Sequence, residues 1–136
     1  MTSSVRSRKA KGRRLQNWVR DALLGAFPGL EKDEDVWCAI MGESGVDIKL
    51  SREAQKLFPF SVECKNKETW KGLYDAYDQA ISNANLEPVV VLKMNKRDPL
   101  LAIDFKAFLC IIQESSKSVN LEDYFKKATT KLTKEN

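Results

Sequence analysis

The chain has 136 residues, 43% of them hydrophobic, and a formal net charge of +4; that length suffices for one buried core without cross-links and is too short for a second independent domain. It contains no histidine, which excludes an imidazole base or ligand and leaves any metal chemistry to carboxylates, amides, carbonyls and water, donors that suit a hard ion such as magnesium or manganese. Its three cysteines, Cys38, Cys64 and Cys110, are odd in number and far apart, matching neither a disulfide framework nor a zinc site.

Residues 1–12 are polar and read as a flexible basic arm. Residues 1–20 hold seven basic side chains (Arg6, Arg8, Lys9, Lys11, Arg13, Arg14 and Arg20) and no acid, whereas the other 116 residues carry 16 basic and 19 acidic groups. Basicity concentrated in this way is expected where a polyanion is contacted; the plainer alternatives are a solubilising tail or a nuclear-targeting patch. The polar N-terminus shows no secretory pattern and no run reaches transmembrane length. A reducing compartment is therefore expected, a bacterial or host-cell cytoplasm or a nucleus.

From Arg13 a helix is predicted, with Leu15, Trp18, Val19, Ala22, Leu23 and Ala26 on one face and Gln16 at its margin. Phe27-Pro28-Gly29 stops it. After an acidic loop at 31–35, Val36–Ile40 reads as a strand and Gly42–Gly45 as a tight turn. Val46–Leu50 alternates, with Val46, Ile48 and Leu50 inward and Asp47 and Lys49 opposite. A linker with Pro59 leads to a third strand, Phe60–Lys65, which places Val62 and Cys64 on one face and Glu63 and Lys65 on the other.

A second helix is expected over residues 70–84, its apolar face made of Trp70, Leu73, Tyr74, Tyr77, Ala80, Ile81 and Ala84. Its period is that of a helix packing on a sheet, which favours a core role over a base-stacking one, and Gln79 falls on the solvated side. Val89–Leu92 is continuously apolar, as a central strand covered on both faces would be. Leu100–Ile103 is a further strand, Asp104 caps a helix over about 105–113, and 121–132 forms a last amphipathic helix. The predicted fold is α/β, a mixed central sheet flanked by helices, with a crossover between 60–65 and 89–92. The expected organisation is a basic arm over 1–12, a main domain over 13–114, and a linker and helix over 115–136.

Chemistry is concentrated on the two middle strands. Asp47 on one and Glu63 with Lys65 on its expected neighbour project outward together, and two carboxylates side by side repel unless a cation lies between them. A divalent ion held by Asp47, Glu63 and the backbone carbonyl of Cys64 would polarise a phosphate and lower the pKa of water. Lys65 would orient the attacking water or stabilise charge on phosphorus. The plain alternative is a solvated strand face with cross-strand ion pairs. Gly45 immediately before Val46-Asp47, and the basic arm before the whole unit, favour the catalytic reading.

Gly45-Val46-Asp47-Ile48 followed by Val62-Glu63-Cys64-Lys65-Asn66 resembles the PD-(D/E)xK nuclease superfamily. Together with Lys11-Gly12-Arg13-Arg14-Leu15-Gln16-Asn17-Trp18 it is most similar to small phage and archaeal-type Holliday junction resolvases. The resemblance covers about residues 6–105 and implies a restriction-endonuclease-like fold. It also implies a magnesium-dependent (or manganese-dependent) endonuclease acting on branched DNA as a homodimer, in the cytoplasm of a bacterial or phage-infected host cell. It makes Asp47 and Glu63 metal ligands, Lys65 the catalytic lysine, and Ser44 and Gly45 the shapers of the turn.

Val46 stands where the motif has proline, and Gln16 stands where many resolvases have a glutamate. An amide oxygen is a neutral and weaker ligand, which puts a second ion and the substrate class in doubt; Glu43 could compensate from the turn. Expected DNA contacts are Arg6, Arg8, Lys9, Lys11, Arg13, Arg14, Ser44, Lys67 and Lys71, with Lys93, Lys96 and Arg97 as further candidates. The alternatives are a restriction-type, nicking or repair enzyme of the same chemistry, and a DNA-binding protein with weak or no catalysis.

Overall fold

Ser4 opens the first helix, α1 (Val5–Ala26): its hydroxyl accepts the Ser7 N–H at 3.1 Å, and the helix ends as Phe27 N–H caps the Leu23 carbonyl. The computed structural model describes residues 4–40, 42–83 and 85–135, with side chains as far as residue 130. Residues 1–3 of the expected arm, Ala84 of the expected helix face and the Leu132 side chain lie outside the described residues. The helix thus begins at Val5 and not at Arg13. Residues 5–12 lack an apolar period because they pack on little, but arginine, lysine and alanine are good helix formers and Ser4 supplies the cap.

The chain divides into two compact units, residues 1–66 with 109–136, and residues 67–108. In the first, β1 (Val36–Cys38) pairs antiparallel with β2 (Ile48–Leu50), in the register Val36–Leu50, Trp37–Lys49 and Cys38–Ile48. The helix α1 packs on this ribbon. A short helix follows, α2 (Arg52–Leu57), capped by the Ser51 hydroxyl on Ala54 N–H. It lies where the sequence predicts only a linker. The C-terminal helix α5 (Leu121–Glu135) packs against α2, where Arg52 forms a two-pronged ion pair with Glu122 at 3.0 and 3.1 Å. The core comprises Val19, Leu23, Phe27, Val36, Ile48, Ala54, Phe58, Leu109, Ile112 and Leu121, all in this unit.

The second unit contains α3 (Lys71–Asn83), β3 (Val89–Leu92) and β4 (Leu100–Ile103). The two strands pair antiparallel from Val89–Ile103 to Leu92–Leu100, and α3 packs on β3. The helix α4 (Phe105–Ser115) begins here, with Asp104 capping Ala107 N–H at 3.0 Å as expected, and ends in the first unit.

The fold is therefore α/β, with helices flanking two small antiparallel sheets. Three further expectations differ, the first being the mixed central sheet with a crossover from 60–65 to 89–92: the named strands form two separate antiparallel pairs. Residues 60–65 are not a strand, because the Cys64 N–H that would enter a ladder is taken by the Asp47 carboxylate. Val89–Leu92 is one half of a two-stranded ribbon, with Val89, Val91 and Leu92 exposed; a continuous apolar run does not by itself specify which surfaces cover it. Among the described residues, no helix is long and apolar enough to cross a membrane.

Candidate active site

Asp47 sits where three segments of the first unit meet. Its carbonyl accepts the Ala39 N–H at 2.9 Å, extending the β1–β2 ladder by one residue, and its own N–H donates to the Val62 carbonyl at 3.0 Å. Its carboxylate oxygen Oδ2 accepts the Cys64 N–H at 2.7 Å. The aspartate is therefore fixed through both backbone and side chain against the segment that carries Glu63 and Lys65. That segment alternates as expected: Val62 and Cys64 are half-buried, and Glu63 and Lys65 are exposed.

The turn before Asp47 is built around a second carboxylate. Glu43 accepts the Ile40 N–H at 2.8 Å through one oxygen and faces the Lys49 ammonium at 3.5 Å through the other. Lys49 also donates to the Ser44 carbonyl at 3.3 Å. Gly45 has φ +100°, a backbone conformation that favours glycine, and a Cβ there would come within 3.1 Å of the Lys49 ammonium. The Ile40 N–H bond, helped by Lys49, holds the Glu43 carboxyl below the usual carboxylate range.

A pocket of about 250 Å³ is lined by Asp47, Glu43, Gln16, Lys9 and Arg13 together with Gly12, Ala39, Ile40 and Gly42. On α1, Arg6, Lys9, Arg13, Gln16 and Arg20 follow one another at spacings of three and four residues and so share a face. Among the described residues, neither Lys9 nor Arg13 has an ion-pair partner in the chain. A cationic stripe with free guanidinium and ammonium groups thus borders a pocket with two acids and an amide. That combination attracts a phosphate while providing oxygen donors for a cation.

The pocket gathers Gln16, Asp47 and Glu43. Glu63 and Lys65 are not part of its lining; they pair with each other at 3.4 Å, with side chains 58% and 65% exposed. Cys64 is half-buried, and burial, with Asp47, Cys38 and Glu63 adding, pushes its thiol up to about 11, so it offers its backbone and not a thiolate. Arg6, Arg8 and Arg14 are exposed and Lys11 partly so. By helical spacing, Arg8, Lys11 and Arg14 lie off the pocket side of α1.

Ser44 contributes its carbonyl to Lys49. In the second unit, Lys67 lies over the Trp70 ring at 4.8 Å and Lys71 pairs with Asp75 at 2.6 Å. Gln79 is exposed, and its carbonyl accepts the Ser82 hydroxyl, in agreement with a surface position. Sequence reasoning did not find the Lys49 strap. Its only signal was that Lys49 shares the outward face of the strand with Asp47. No protein-family model, curated protein or solved structure matches the chain.

Proposed function

We propose that the chain is a metal-dependent DNA endonuclease that hydrolyses phosphodiester bonds in branched DNA such as four-way junctions, working as a homodimer with magnesium or manganese. The observation that carries this reading is the shared pocket: Lys9 and Arg13 of the basic helix border it together with Asp47, Glu43 and Gln16. A restriction-endonuclease-like core, with β2 and the 60–65 segment as its catalytic pair, is part of the proposal. So is the cytoplasm of a bacterial or phage-infected cell, which the three free thiols favour.

The donor chemistry fits a hard ion. Asp47 uses one oxygen for the Cys64 N–H and keeps acceptor capacity on both. Glu63 is solvent-facing, and the Cys64 carbonyl lies between Glu63 and Lys65 in sequence. Among the described residues, no three or more histidine, cysteine or acidic side chains cluster as a metal site. Magnesium needs no such cluster, because it keeps several waters and takes one or two carboxylates.

When bound, the ion supplies charge neutralisation at the phosphate and a more acidic water. Lys9 and Arg13 hold the phosphate by charge-assisted bonds, and the Gln16 amide orients water. Lys65 leaves its pair with Glu63 to stabilise charge on the phosphate oxygens. The exposed Glu63–Lys65 pair also favours a second reading, a DNA-binding protein without catalysis, in which the two charges simply satisfy each other.

Cleavage of four-way-junction and linear duplex DNA with magnesium separates these readings. The parent protein should cut the junction in preference. Asp47→Asn, which still accepts the Cys64 N–H, and Glu63→Gln should each lose more than about a hundredfold in rate while keeping DNA affinity, since several kcal/mol of charge stabilisation disappear. Gln16→Glu should gain activity. Normal cutting by the first two variants sinks the active site, equal cutting of linear duplex sinks junction selectivity, and tight binding with no cleavage by the parent establishes the second reading.

A further inference from the structure

A second and larger pocket, about 480 Å³, lies along β2 and borders residues 59–61. Its lining is mainly apolar and includes Trp37 and Phe60, with Ser61, Lys49 and Glu122 as polar members. Pockets of about 300–1,000 Å³ with this mixture are typical of small-molecule sites. The polar members are unequally occupied. Glu122 is held by Arg52 and Lys126, and Gln55 donates to the Leu50 carbonyl at 3.0 Å, whereas the Ser61 hydroxyl and the Trp37 indole N–H have no partner among the described residues.

The backbone edge of β2 offers little by itself. Ala39 and Asp47 form a hydrogen-bonded pair of the ladder through Ala39 N–H and the Asp47 carbonyl, so the next pair, Cys38–Ile48, is non-hydrogen-bonded and the Ile48 N–H and carbonyl face away from β1. Ile48 is itself 1% exposed, so this edge is covered. Asp47 N–H is taken by the Val62 carbonyl, and the Leu50 carbonyl by Gln55. An added peptide strand needs a longer run of free edge. The exposed Ser61 beside the aromatic side chains of Trp37 and Phe60 fits a single flat ring with a hydrogen-bonding edge.

Lys49 indicates which ring. It lines this pocket, yet its ammonium sits on the Ser44 carbonyl and beside Glu43, and Glu43 borders the Asp47 pocket. The two pockets are thus joined across one lysine. We infer that the second pocket receives an unpaired nucleobase of the DNA whose phosphate occupies the Asp47 pocket. The inference rests on the nuclease reading and deepens it: the substrate has an unstacked base beside the phosphate that is cut. The base would stack on an aromatic wall and hydrogen-bond to Ser61, as extruded bases are held elsewhere.

The probe pair is a duplex with a one-thymine bulge and the same duplex with an abasic bulge. The parent protein should bind the thymine bulge about tenfold more tightly, the usual value of one base–aromatic stack. Trp37→Ala should remove that preference and leave fully paired duplex affinity unchanged, while Trp37→Phe retains it. Trp37 lies on β1 and its truncation could disturb the strand, so Ser61→Tyr, which blocks the pocket from an exposed position, provides the second test and should also remove the preference.

Equal affinity for the two bulges overturns the inference, as does a preference that survives Ser61→Tyr. So does a changed oligomeric state in Ser61→Tyr with bulge preference intact, because the slot would then serve contact between copies. Loss of junction cleavage in Asp47→Asn with no bulge preference in the parent rejects the base pocket and leaves the nuclease standing. A parent that binds no DNA rejects both.

Discussion

Asp47 and Cys64 illustrate how one contact decides two side chains. The Cys64 N–H on Asp47 fixes the carboxylate, and the same packing half-buries the Cys64 thiol, which burial pushes up to about 11. A free thiol ionises near 8.5 and reacts as the thiolate. At pH 8 a small alkylating reagent should therefore modify the exposed Cys110 first and Cys64 more than about tenfold more slowly, with the rates converging on denaturation; equal native rates would contradict the packing around Asp47. What alternation makes readable in sequence is the shared face of Glu63 and Lys65, opposite Val62 and Cys64, and the face of Asp47 opposite the buried Ile48. Gln16 in the pocket is readable from the angular margin of a helix. The Lys49 strap is not, since it depends on Gly42 and Gly45 both taking positive φ, and that path fixes where a long lysine ends.

Short elements depend on caps and polar ties more than on apolar area, and β1, β2 and α2 are all short. Ser51 links all three. Its hydroxyl caps Ala54 N–H at 3.1 Å and bonds Asp35 at 2.6 Å, and Asp35 also receives the Glu31 N–H. Those bonds, Ser51 first, hold the Asp35 carboxyl below its ordinary range. A lowered carboxyl stabilises the fold above the unfolded value of about 4 and loses that contribution as pH falls through its own lower value; Glu43 behaves likewise.

Thermal melts should accordingly show stability falling below about pH 4. Ser51→Ala should lose about 1 kcal/mol at neutral pH through its cap and titrate less steeply in acid. An unchanged acid profile in that variant would remove Asp35 from the account. The apolar faces of the long helices are legible from period, β4 from its short apolar run, and the start of α4 from Asp104. The helix α2 is not, because six residues carry only Ala54 and Leu57 as apolar positions, too few to show a period. The 60–65 segment has the alternation of a strand, and sequence alone assigns it as one; the bond that replaces its ladder comes from a side chain 17 positions away, a separation at which no local pattern operates.

At the scale of the whole molecule, charge is polarised along the chain: α1 is basic and the rest is mildly acidic. Under the proposed function, a DNA phosphate backbone would be drawn to the basic helix and away from the mildly acidic remainder. Because residues 5–12 are helical, their charges are arranged by period, and Arg6, Lys9 and Arg13 form one stripe while Arg8, Lys11 and Arg14 lie off it. The two sets should therefore behave differently. Every phosphate that a cation ceases to neutralise lowers the slope of log affinity against log salt by about 0.9. Replacing Arg6, Lys9 and Arg13 with glutamine should reduce that slope by about 2 to 3 units and abolish cleavage. The same change at Arg8, Lys11 and Arg14, identical in net charge, should reduce the slope by about 1 unit or less and leave catalysis in place. Equal effects from the two triple variants, measured by DNA titration between low and physiological salt, would mean that the stretch acts only through total charge and that the helical stripe has no part in aiming the phosphate.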